Sequence, residues 1–277
     1  MIKAYNNWSF VDNCIGHKSS LRGNRMIILN SLKRIRRSLT VLFVTSLILG
    51  LVSCGGTDSP ETVTNYASVD ATQPVSDWKM VWEDEFDGAA IDSDKWTHEI
   101  DCTGGGNQEK QCYTDNAENS FVSGGMLSIV ALPAAAGAEQ PYTSARLNTK
   151  YKADFKYGRI EMRAQLPEGQ GTHPAFWMLS TDETYGTWPR SGEIDIIEAV
   201  NLNADRQDGS PETYVHGTLW YGGDFNPVTR EFSNSGKAYL PTGNPTNDFH
   251  TYAIEWNEGE IRWYVDDYLF QTQRAST

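Results

Sequence analysis

The sequence has few cysteines and histidines, no visible repeats and no helical periodicity, and each of these absences excludes a class of protein. It has four cysteines and five histidines, with no second cysteine pair and no histidine cluster that would form a zinc site. No internal repeat of about 20 to 50 residues is visible, and no segment sustains the apolar period of a helix. A composition with 39% hydrophobic residues also excludes collagen-like, coiled-coil and wholly disordered chains. An ordinary globular protein remains.

Basic residues are scarce in most of the chain. Residues 1–53 hold 8 of the 23 Lys and Arg residues but 1 of the 36 Asp and Glu residues, which leaves a strongly acidic body from residue 54 onward. Such a body repels phosphate backbones, so we exclude nucleic acid as a partner and favour a neutral or cationic ligand. Eight of the nine tryptophans lie beyond residue 77. This density suits stacking on sugar rings, although a β-sandwich core would also use it.

The N-terminal region is typical of an export signal. A basic run, Lys33–Arg37, precedes an apolar stretch from Leu39 to Val52, and about 14 apolar residues are fewer than the roughly 20 that span a membrane. The stretch ends at Cys54 in a pattern that resembles a bacterial lipobox. We therefore predict an exported lipoprotein, lipidated at Cys54 and anchored in the periplasm or at the cell surface, with an uncleaved anchor as the alternative. Met26 is the expected start, because a basic n-region usually begins near the initiator.

Three regions follow from this pattern. Residues 1–53 form the signal region, residues 54–76 have the polar composition of a flexible linker, and residues 77–277 form the folded domain. Cys102 and Cys112 are the cysteines left to the domain, and in an oxidising compartment they are candidates for a disulfide. Two free thiols or two metal ligands are the alternatives.

From Trp78 onward the sequence has the pattern of an all-β protein. Short runs of β-branched and aromatic residues alternate with Gly, Asn, Asp and Pro, and Arg159–Ala164 alternates polar with apolar residues. This predicts a sandwich of two sheets, with a jelly roll as the architecture that suits the size. The expected strands are Met80–Phe86, Ser120–Ala131, Thr143–Tyr151, Gly158–Leu166, Pro174–Leu179, Glu193–Ala199, Thr213–Trp220, His250–Trp256 and Ile261–Phe270.

Three acids in one short run are the most informative feature. Isoleucines separate Glu193, Asp195 and Glu198, so the acids lie on a strand, where side chains alternate between faces. Regular alternation would send Glu198 to the core face, where an unpaired carboxylate costs several kcal/mol. A β-bulge at Ile196-Ile197 would return Glu198 to the side of the other two acids. The two glutamates could then approach to about 5–5.5 Å, the separation of retaining glycoside hydrolysis. A solvated acidic strand and a calcium cluster are the structural alternatives.

The segment Trp188–Glu198 resembles the signature of glycoside hydrolase family 16, in the branch of bacterial laminarinases and related endo-β-glucanases whose catalytic strand contains a bulge. The resemblance extends from about Trp78 to the end of the sequence. Its other matches are Trp82–Gly88, Gly106–Glu109 followed by Tyr113-Thr114, Tyr157–Glu161, Pro174–Leu179, Asp248–Tyr252 and Glu255-Trp256.

The resemblance implies roles for individual residues. Glu193 would be the nucleophile, Glu198 the acid/base, and Asp195 the helper that orients the nucleophile. The other implied substrate contacts are the aromatic positions Trp177 and Trp188, with core packing as the alternative, the polar positions Asn107 and Glu109, a cleft arginine at Arg159, and a histidine near the acid/base at His216. Many relatives have a second histidine where this sequence has Trp220, which puts one sugar subsite in doubt.

A second departure concerns the end of the sequence. The family fold has further strands after the segment that resembles Ile261–Asp266, and this sequence stops at Thr277. We therefore expect a concanavalin-like jelly roll, with its substrate cleft on the concave sheet, that is truncated at its C-terminus. No cofactor is expected to be required. Relatives often hold a structural calcium ion partly through an acid in a later strand, so the resemblance leaves calcium open.

The predicted function is an endo-acting retaining glycoside hydrolase that cleaves β-1,3 or mixed β-1,3/1,4 glucans such as laminarin. A galactan hydrolase of the same family, similar to agarases, is one alternative. A non-catalytic glucan-binding sandwich is another, although binding alone does not need three crowded acids. The expected partners are the polysaccharide and, through the lipid anchor, a membrane, and we expect a monomer.

Overall fold

A computed structural model describes residues 1–6, 24–32, 78–105, 107–205, 212–223, 233–240 and 243–275. None of these residues is helical, so no described helix is long and apolar enough to cross a membrane. Their strands are β1 (Ile2–Asn6), β2 (Asn24–Leu32), β3 (Lys79–Asp84), β4 (Thr97–His98), β5 (Gln111–Tyr113), β6 (Ser120–Ser123), β7 (Met126–Ile129), β8 (Leu132–Pro133), β9 (Tyr142–Ser144), β10 (Arg146–Asn148), β11 (Gly158–Ala164), β12 (Thr172–Ser180), β13 (Glu193–Glu198), β14 (Tyr214–Trp220), β15 (Ser233–Tyr239), β16 (His250–Asn257), β17 (Glu260–Val265) and β18 (Tyr268–Arg274).

Two large antiparallel sheets form the body of the fold, which confirms the all-β prediction. Sheet 1 has the order β18-β17-β16-β11-β1-β3, and sheet 2 has the order β15-β14-β13-β12-β2-β10-β4. Apolar side chains from both sheets meet in one core, with Ile160 and Trp263 from sheet 1 and Phe176 and Ile194 from sheet 2. The described residues also form a three-stranded sheet, β5-β9-β8, and the hairpin β6-β7.

Alternation decides which residues of sheet 1 enter the core. In β11, Ile160 and Met162 are buried between the sheets, whereas Arg159 and Glu161 lie on the opposite face and form an ion pair there. β12 in sheet 2 is different, because six consecutive residues from His173 to Met178 are buried. Phe176 belongs to the main core, and Trp177 packs on the other side of the sheet. A strand covered on both faces is expected to be apolar throughout.

Turns divide three of the predicted strands. Gly124 and Gly125 both have positive φ and split the expected strand Ser120–Ala131 into the hairpin β6-β7. Asp266 and Asp267, also with positive φ, separate β17 from β18 within the expected strand Ile261–Phe270. Ala145 separates β9 from β10. The sequence analysis did not predict the short strands β4, β5 and β8, nor β1, β2 and β15.

Two N-terminal segments are internal strands of the sheets. β1 lies between β3 and β11 in sheet 1, with Ile2 and Ala4 buried, and β2 lies between β12 and β10 in sheet 2. The sequence analysis expected residues 1–53 to be a signal region and placed no strand there. The basic run, the apolar stretch, Cys54 and the linker of residues 54–76 all lie outside the described residues.

Cys102 and Cys112 form a disulfide, as the spacing and the expected oxidising compartment suggested. Cys112 lies in β5, and Cys102 adjoins the bridge between Asp101 and Tyr113. The crosslink therefore fixes the loop that carries Asn107 and Glu109. Within this loop, Gly106 lies outside the described residues.

Candidate active site

The β-bulge predicted at Ile196-Ile197 is present in β13. Phe176 of β12 pairs with Ile197 and the next residue, Trp177, pairs with Asp195, so Ile196 is the extra residue. The register with β14 shifts in the same interval, between Asp195 and Glu198. Glu198 consequently shares a face with Glu193 and Asp195, and its charge acts on both of them. The three acids are called the catalytic cluster below.

A tryptophan from sheet 1 supports the bulge. A bulge locally disrupts the ladder, and the Trp263 indole N–H donates to the main-chain carbonyl of Asp195 at 2.8 Å. Trp263 is fully buried, and it reaches β13 by passing over Gly217 of β14. A Cβ at Gly217 would lie 2.3 Å from the Trp263 ring, so glycine is required there by the close approach of the two groups.

Glu193 and Asp195 form a hydrogen-bonded pair with one proton between them. Burial raises the pKa of Glu193 to about 7, and the charge of Glu198 acts in the same direction, while the hydrogen bond from Asp195 lowers it. Burial, followed by the charges of Glu198 and Glu193, raises the pKa of Asp195 well above its usual range. The proton therefore belongs on Asp195, which donates it to Glu193. This arrangement favours the carboxylate of Glu193, the form that a nucleophile needs, and that form predominates above its pKa of about 7.

Two tryptophans contact Glu193 and Asp195. Trp188 is 42% exposed and its side chain hydrogen-bonds to Glu193, which lowers the pKa of that carboxyl. The Trp220 indole N–H donates to Asp195 Oδ2 at 3.0 Å, and its ring centroid lies 5.5 Å from that of Trp188. Trp220, the departure noted in the sequence, thus has a defined contact with Asp195. Trp188 presents the open aromatic surface that a sugar ring would stack on.

Two histidines flank Glu198. His173 of β12 lies 2.8 Å from it, measured from Nε2 to Oε1. His216 of β14 is opposite Glu198 in the strand register, and burial lowers the pKa of its ring despite the nearby charge of Glu198. His216 is therefore neutral at neutral pH and lies beside Glu198, as the resemblance implied. His173 was not among the predicted site residues.

A buried arginine acts on the catalytic cluster from within sheet 2. The Arg146 guanidinium lies between the rings of Tyr113 and Trp177, 4.8 and 5.1 Å from their centroids, and its charge lowers the pKa of Glu193. Trp177 is 8% exposed, so it packs beneath the cleft and offers little of its ring to a substrate. The core-packing alternative for Trp177 is therefore the one that its position supports.

The predicted polar positions also differ in accessibility. Glu109 is 3% exposed and accepts hydrogen bonds from Gln111 Nε2 and the Tyr113 hydroxyl at 2.8 and 2.6 Å. Its carboxylate is thereby tied to Tyr113, which packs against Arg146. Asn107 is exposed in the loop before Glu109. Asn107 is free to meet a ligand, whereas Glu109 acts by holding the aromatic support of Arg146.

The expectation for Arg159 was wrong. Arg159 lies on sheet 1, on the face that points away from the core, and it forms ion pairs with Glu161, Glu255 and Asp267 at 2.9, 3.3 and 3.1 Å. Alternation along β11 predicted that Arg159 leaves the core but could not tell which sheet contains the cleft. These four residues are called the Arg159 cluster below.

The described residues contain no group of three or more His, Cys, Asp or Glu side chains arranged to hold a metal ion. The acids of the catalytic cluster are engaged with one another and with indole donors. The arrangement is suited to acid/base and nucleophilic chemistry with two glutamates and one buried proton donor.

Comparison with known proteins agrees with this geometry. The family model for glycosyl hydrolases family 16 matches residues 106–277, more than half of the chain, and includes the whole catalytic cluster. The chain belongs to glycoside hydrolase family 16. A family that hydrolyses glycosidic bonds accounts for three crowded acids that neither a calcium cluster nor a solvated strand would explain as well.

Individual relatives are similar over the same region. A β-glucanase of Rhodothermus marinus is 44% identical over 205 residues, which are 73% of this chain and 67% of that protein. Glucan endo-1,3-β-glucosidase A1 of Niallia circulans is 39% identical over 211 residues, 71% of this chain but 29% of that much longer protein. The X-ray structure of the laminarinase from R. marinus superposes with a TM-score of 0.61 at 44% identity, covering 69% of this chain and 73% of that one.

Sequence reasoning could have found His173 but not Arg146. His173 lies two residues before Ala175 and four before Trp177, and alternation places all three on one face of β12. Since Ala175 pairs with Glu198, a histidine two positions away is within diagonal reach. Arg146 comes from β10, which is not a neighbour of β13, and no local pattern indicates that approach.

Proposed function

We propose that this chain is an endo-acting, retaining glycoside hydrolase that cleaves internal β-1,3 or mixed β-1,3/1,4 linkages of glucans such as laminarin. The observation that carries the proposal is the bulge in β13, which places Glu193, Asp195 and Glu198 on one face. The names of the relatives, a β-glucanase, an endo-1,3-β-glucosidase and a laminarinase, support the substrate class.

The chemistry follows from the role proposed for each acid. Protonated Glu198 donates its proton to the glycosidic oxygen while the Glu193 carboxylate attacks the anomeric carbon, which breaks the glycosidic bond and forms a glycosyl ester on Glu193. Glu198, now a carboxylate, takes a proton from water, which attacks the same carbon and releases Glu193. Asp195 keeps its proton throughout and holds Glu193 through it. Two inversions restore the β configuration.

Reducing-sugar release tests the substrate. We expect hydrolysis of laminarin and of the mixed-linkage glucan lichenan, and a much lower rate on agarose and carrageenan. The acidic body disfavours a sulfated polymer because like charges repel. Faster hydrolysis of agarose than of laminarin would favour the galactan alternative. Binding of laminarin without any hydrolysis would favour the non-catalytic sandwich.

The anomer formed first tests the mechanism. Proton NMR of a fresh laminarin digest should show the β-anomer before mutarotation mixes the two forms, because a double displacement retains configuration. An inverting enzyme would release the α-anomer first, and this result would remove Glu193 from the role of nucleophile.

Export as a lipoprotein remains part of the proposal. Its support is the basic run Lys33–Arg37 followed by the apolar stretch that ends at Cys54. Cleavage before Cys54 would remove β1 and β2, so one chain cannot both be processed there and keep these strands. Mass spectrometry of the mature N-terminus separates the two outcomes: a lipidated Cys54 supports export, and an unlipidated N-terminus at Met1 or Met26 contradicts it.

A further inference from the structure

His173 occupies a position from which it can control the acid/base. Its side chain is 5% exposed, and Nε2 lies 2.8 Å from Oε1 of Glu198, whose side chain is 24% exposed. The buried partner is thus a histidine fixed in β12, and the accessible partner is the carboxyl that faces the cleft. A fixed ring nitrogen beneath a more exposed carboxyl restricts the orientation of that carboxyl.

The local backbone explains why His173 is fixed. β12 is paired on both sides, with β13 and β2, and His173 is opposite Ser31 of β2 in the register. Pro174 follows directly and limits the backbone at His173 to extended conformations. The histidine therefore has little freedom, and the contact with Glu198 is set by the strand pairing.

One hydrogen-bond arrangement serves both steps of the double displacement. If His173 donates its Nε2–H to Oε1, the other oxygen, Oε2, carries the proton toward the leaving group in the first step. In the second step the same N–H stabilises the carboxylate while Oε2 accepts the proton from water. His173 keeps its proton in both steps. It acts by directing Oε2 toward the reacting oxygen.

Other titratable groups surround this pair. Glu193 and Asp195 face Glu198 from β13, and His216 faces it from β14. Lys237 and Glu212 act on His216 in turn. Burial lowers the pKa of His216, so this second histidine adds no positive charge near neutral pH. The 2.8 Å contact distinguishes His173 from these neighbours, because it fixes one oxygen of Glu198 directly.

We propose that His173 is a positioning residue for the acid/base, holding Oε1 of Glu198 so that Oε2 faces the scissile glycosidic oxygen. This inference rests on the proposed function, which makes Glu198 the acid/base. If His173 positions Glu198, replacing His173 should lower kcat/KM most for substrates whose leaving group needs a proton. If the role of His173 is purely structural, replacing it should lower kcat/KM equally for every substrate.

The experiment compares two substrates with different leaving groups. Laminarin needs protonation of its departing oxygen, whereas a 2,4-dinitrophenyl β-glycoside of a β-1,3-linked glucose disaccharide does not. For His173→Leu, which removes the donor, we expect kcat/KM on laminarin to fall by about 10- to 100-fold, as misplacement of a catalytic group does. On the aryl glycoside we expect a fall of less than about 3-fold, because general acid catalysis contributes little there.

Three further variants define the outcome. Glu198→Gln should show the same selective loss more strongly, and a Glu198→Gln variant without such selectivity would contradict the proposed function itself. His173→Gln, whose amide nitrogen reaches the Nε2 position, should recover most of the laminarin rate. His98→Leu, which removes a 2.8 Å histidine contact with Ser120 in another strand, should leave both rates unchanged.

With Glu198→Gln behaving as expected, equal losses on both substrates in His173→Leu would overturn the role of His173 alone. A stability loss could hide the effect, so melting temperatures are measured for every variant. Should His173→Leu fail to fold, His173→Asn replaces it, since its amide nitrogen is one bond short of the Nε2 position. The proposal is supported if the asparagine variant loses kcat/KM on laminarin selectively while the glutamine variant recovers it. It is overturned if the two variants have the same kcat/KM on both substrates.

Discussion

The protein contains two clusters with three carboxylates each, and they are built in opposite ways. The catalytic cluster on sheet 2 packs its three acids against one another, and indole donors and a shared proton limit their repulsion. The Arg159 cluster on sheet 1 arranges its three acids around one guanidinium. The same number of acids thus serves chemistry in one sheet and structure in the other.

The pKa values record this difference. In the catalytic cluster, burial and mutual repulsion raise the pKa of Glu193 to about 7 and that of Asp195 well above its usual range. For Arg159, burial alone would lower the pKa, but the hydrogen bond to Glu161 and the nearby carboxylates raise it instead. The catalytic cluster therefore stores unfavourable free energy in the folded state, and the Arg159 cluster does not. Four predictions test this contrast.

The largest difference is expected in turnover. Glu193→Gln and Glu198→Gln should each lower kcat on laminarin by about 10³-fold or more, because the nucleophile or the general acid is lost while sugar binding remains. Glu161→Gln and Glu255→Gln, the matched changes in the Arg159 cluster, should keep kcat within about 3-fold of the original, as expected of surface changes away from a site. If variants of both clusters lost kcat to a similar extent, the view that one cluster is catalytic and the other structural would be contradicted.

The next difference concerns the pH profile. Since Glu193 must be a carboxylate, kcat/KM should fall as the pH drops below about 7, the pKa of this group. Asp195→Leu removes a donor that lowers this pKa, so the acid limb should move to higher pH, whereas Asp195→Asn keeps an N–H donor and should move it less. Glu161→Leu serves as the control and should leave the limb in place. An acid limb that stays fixed in Asp195→Leu would show that Asp195 does not hold the nucleophile.

A smaller effect is expected at the contact between the catalytic strand and the core residue Trp263. Trp263→Phe leaves the Asp195 carbonyl in the bulge without its indole donor, and an unsatisfied buried acceptor costs about 1–3 kcal/mol. We expect a lower melting temperature together with a lower kcat, since the bulge presents Glu198. Trp256→Phe, in β16 beside Tyr157, is the control and should leave kcat unchanged. A variant with normal kcat and a normal melting temperature would show that the bulge does not need the indole.

The smallest effect is a change in stability whose sign differs between the clusters. The pKa of Glu193 is raised by folding from 4.5 to about 7, so its ionisation opposes folding increasingly as the pH rises through this interval. Glu193→Gln should therefore raise the melting temperature at pH 8, by roughly 2–8 °C for about 1–2 kcal/mol, and have little effect near pH 4. Glu255→Gln should lower it slightly at pH 8, because an ion pair is lost. A decrease in both variants would refute the idea of stored repulsion in the catalytic cluster.

Much of the catalytic strand could be predicted because its physics is local. Three isoleucines and three acids within eight residues leave a bulge as the way to keep Glu198 out of the core, and the bulge was found at the predicted position. Burial of charge is costly wherever it happens, so a pattern of charges predicts backbone geometry. The division into many strands followed in the same way from Gly, Asn and Asp at the turns.

The tertiary structure decided which side chains meet the catalytic strand. The sequence by itself determined the all-β class, the strand that carries the acids and the bulge, because each depends on alternation and charge within a few residues. It could not determine that His173, Arg146 and Trp263 approach this strand, that Arg159 lies on the other sheet, or that β1 and β2 are internal strands. These contacts join residues far apart in the chain, and strand order, which fixes them, depends on the packing of both sheets around one core.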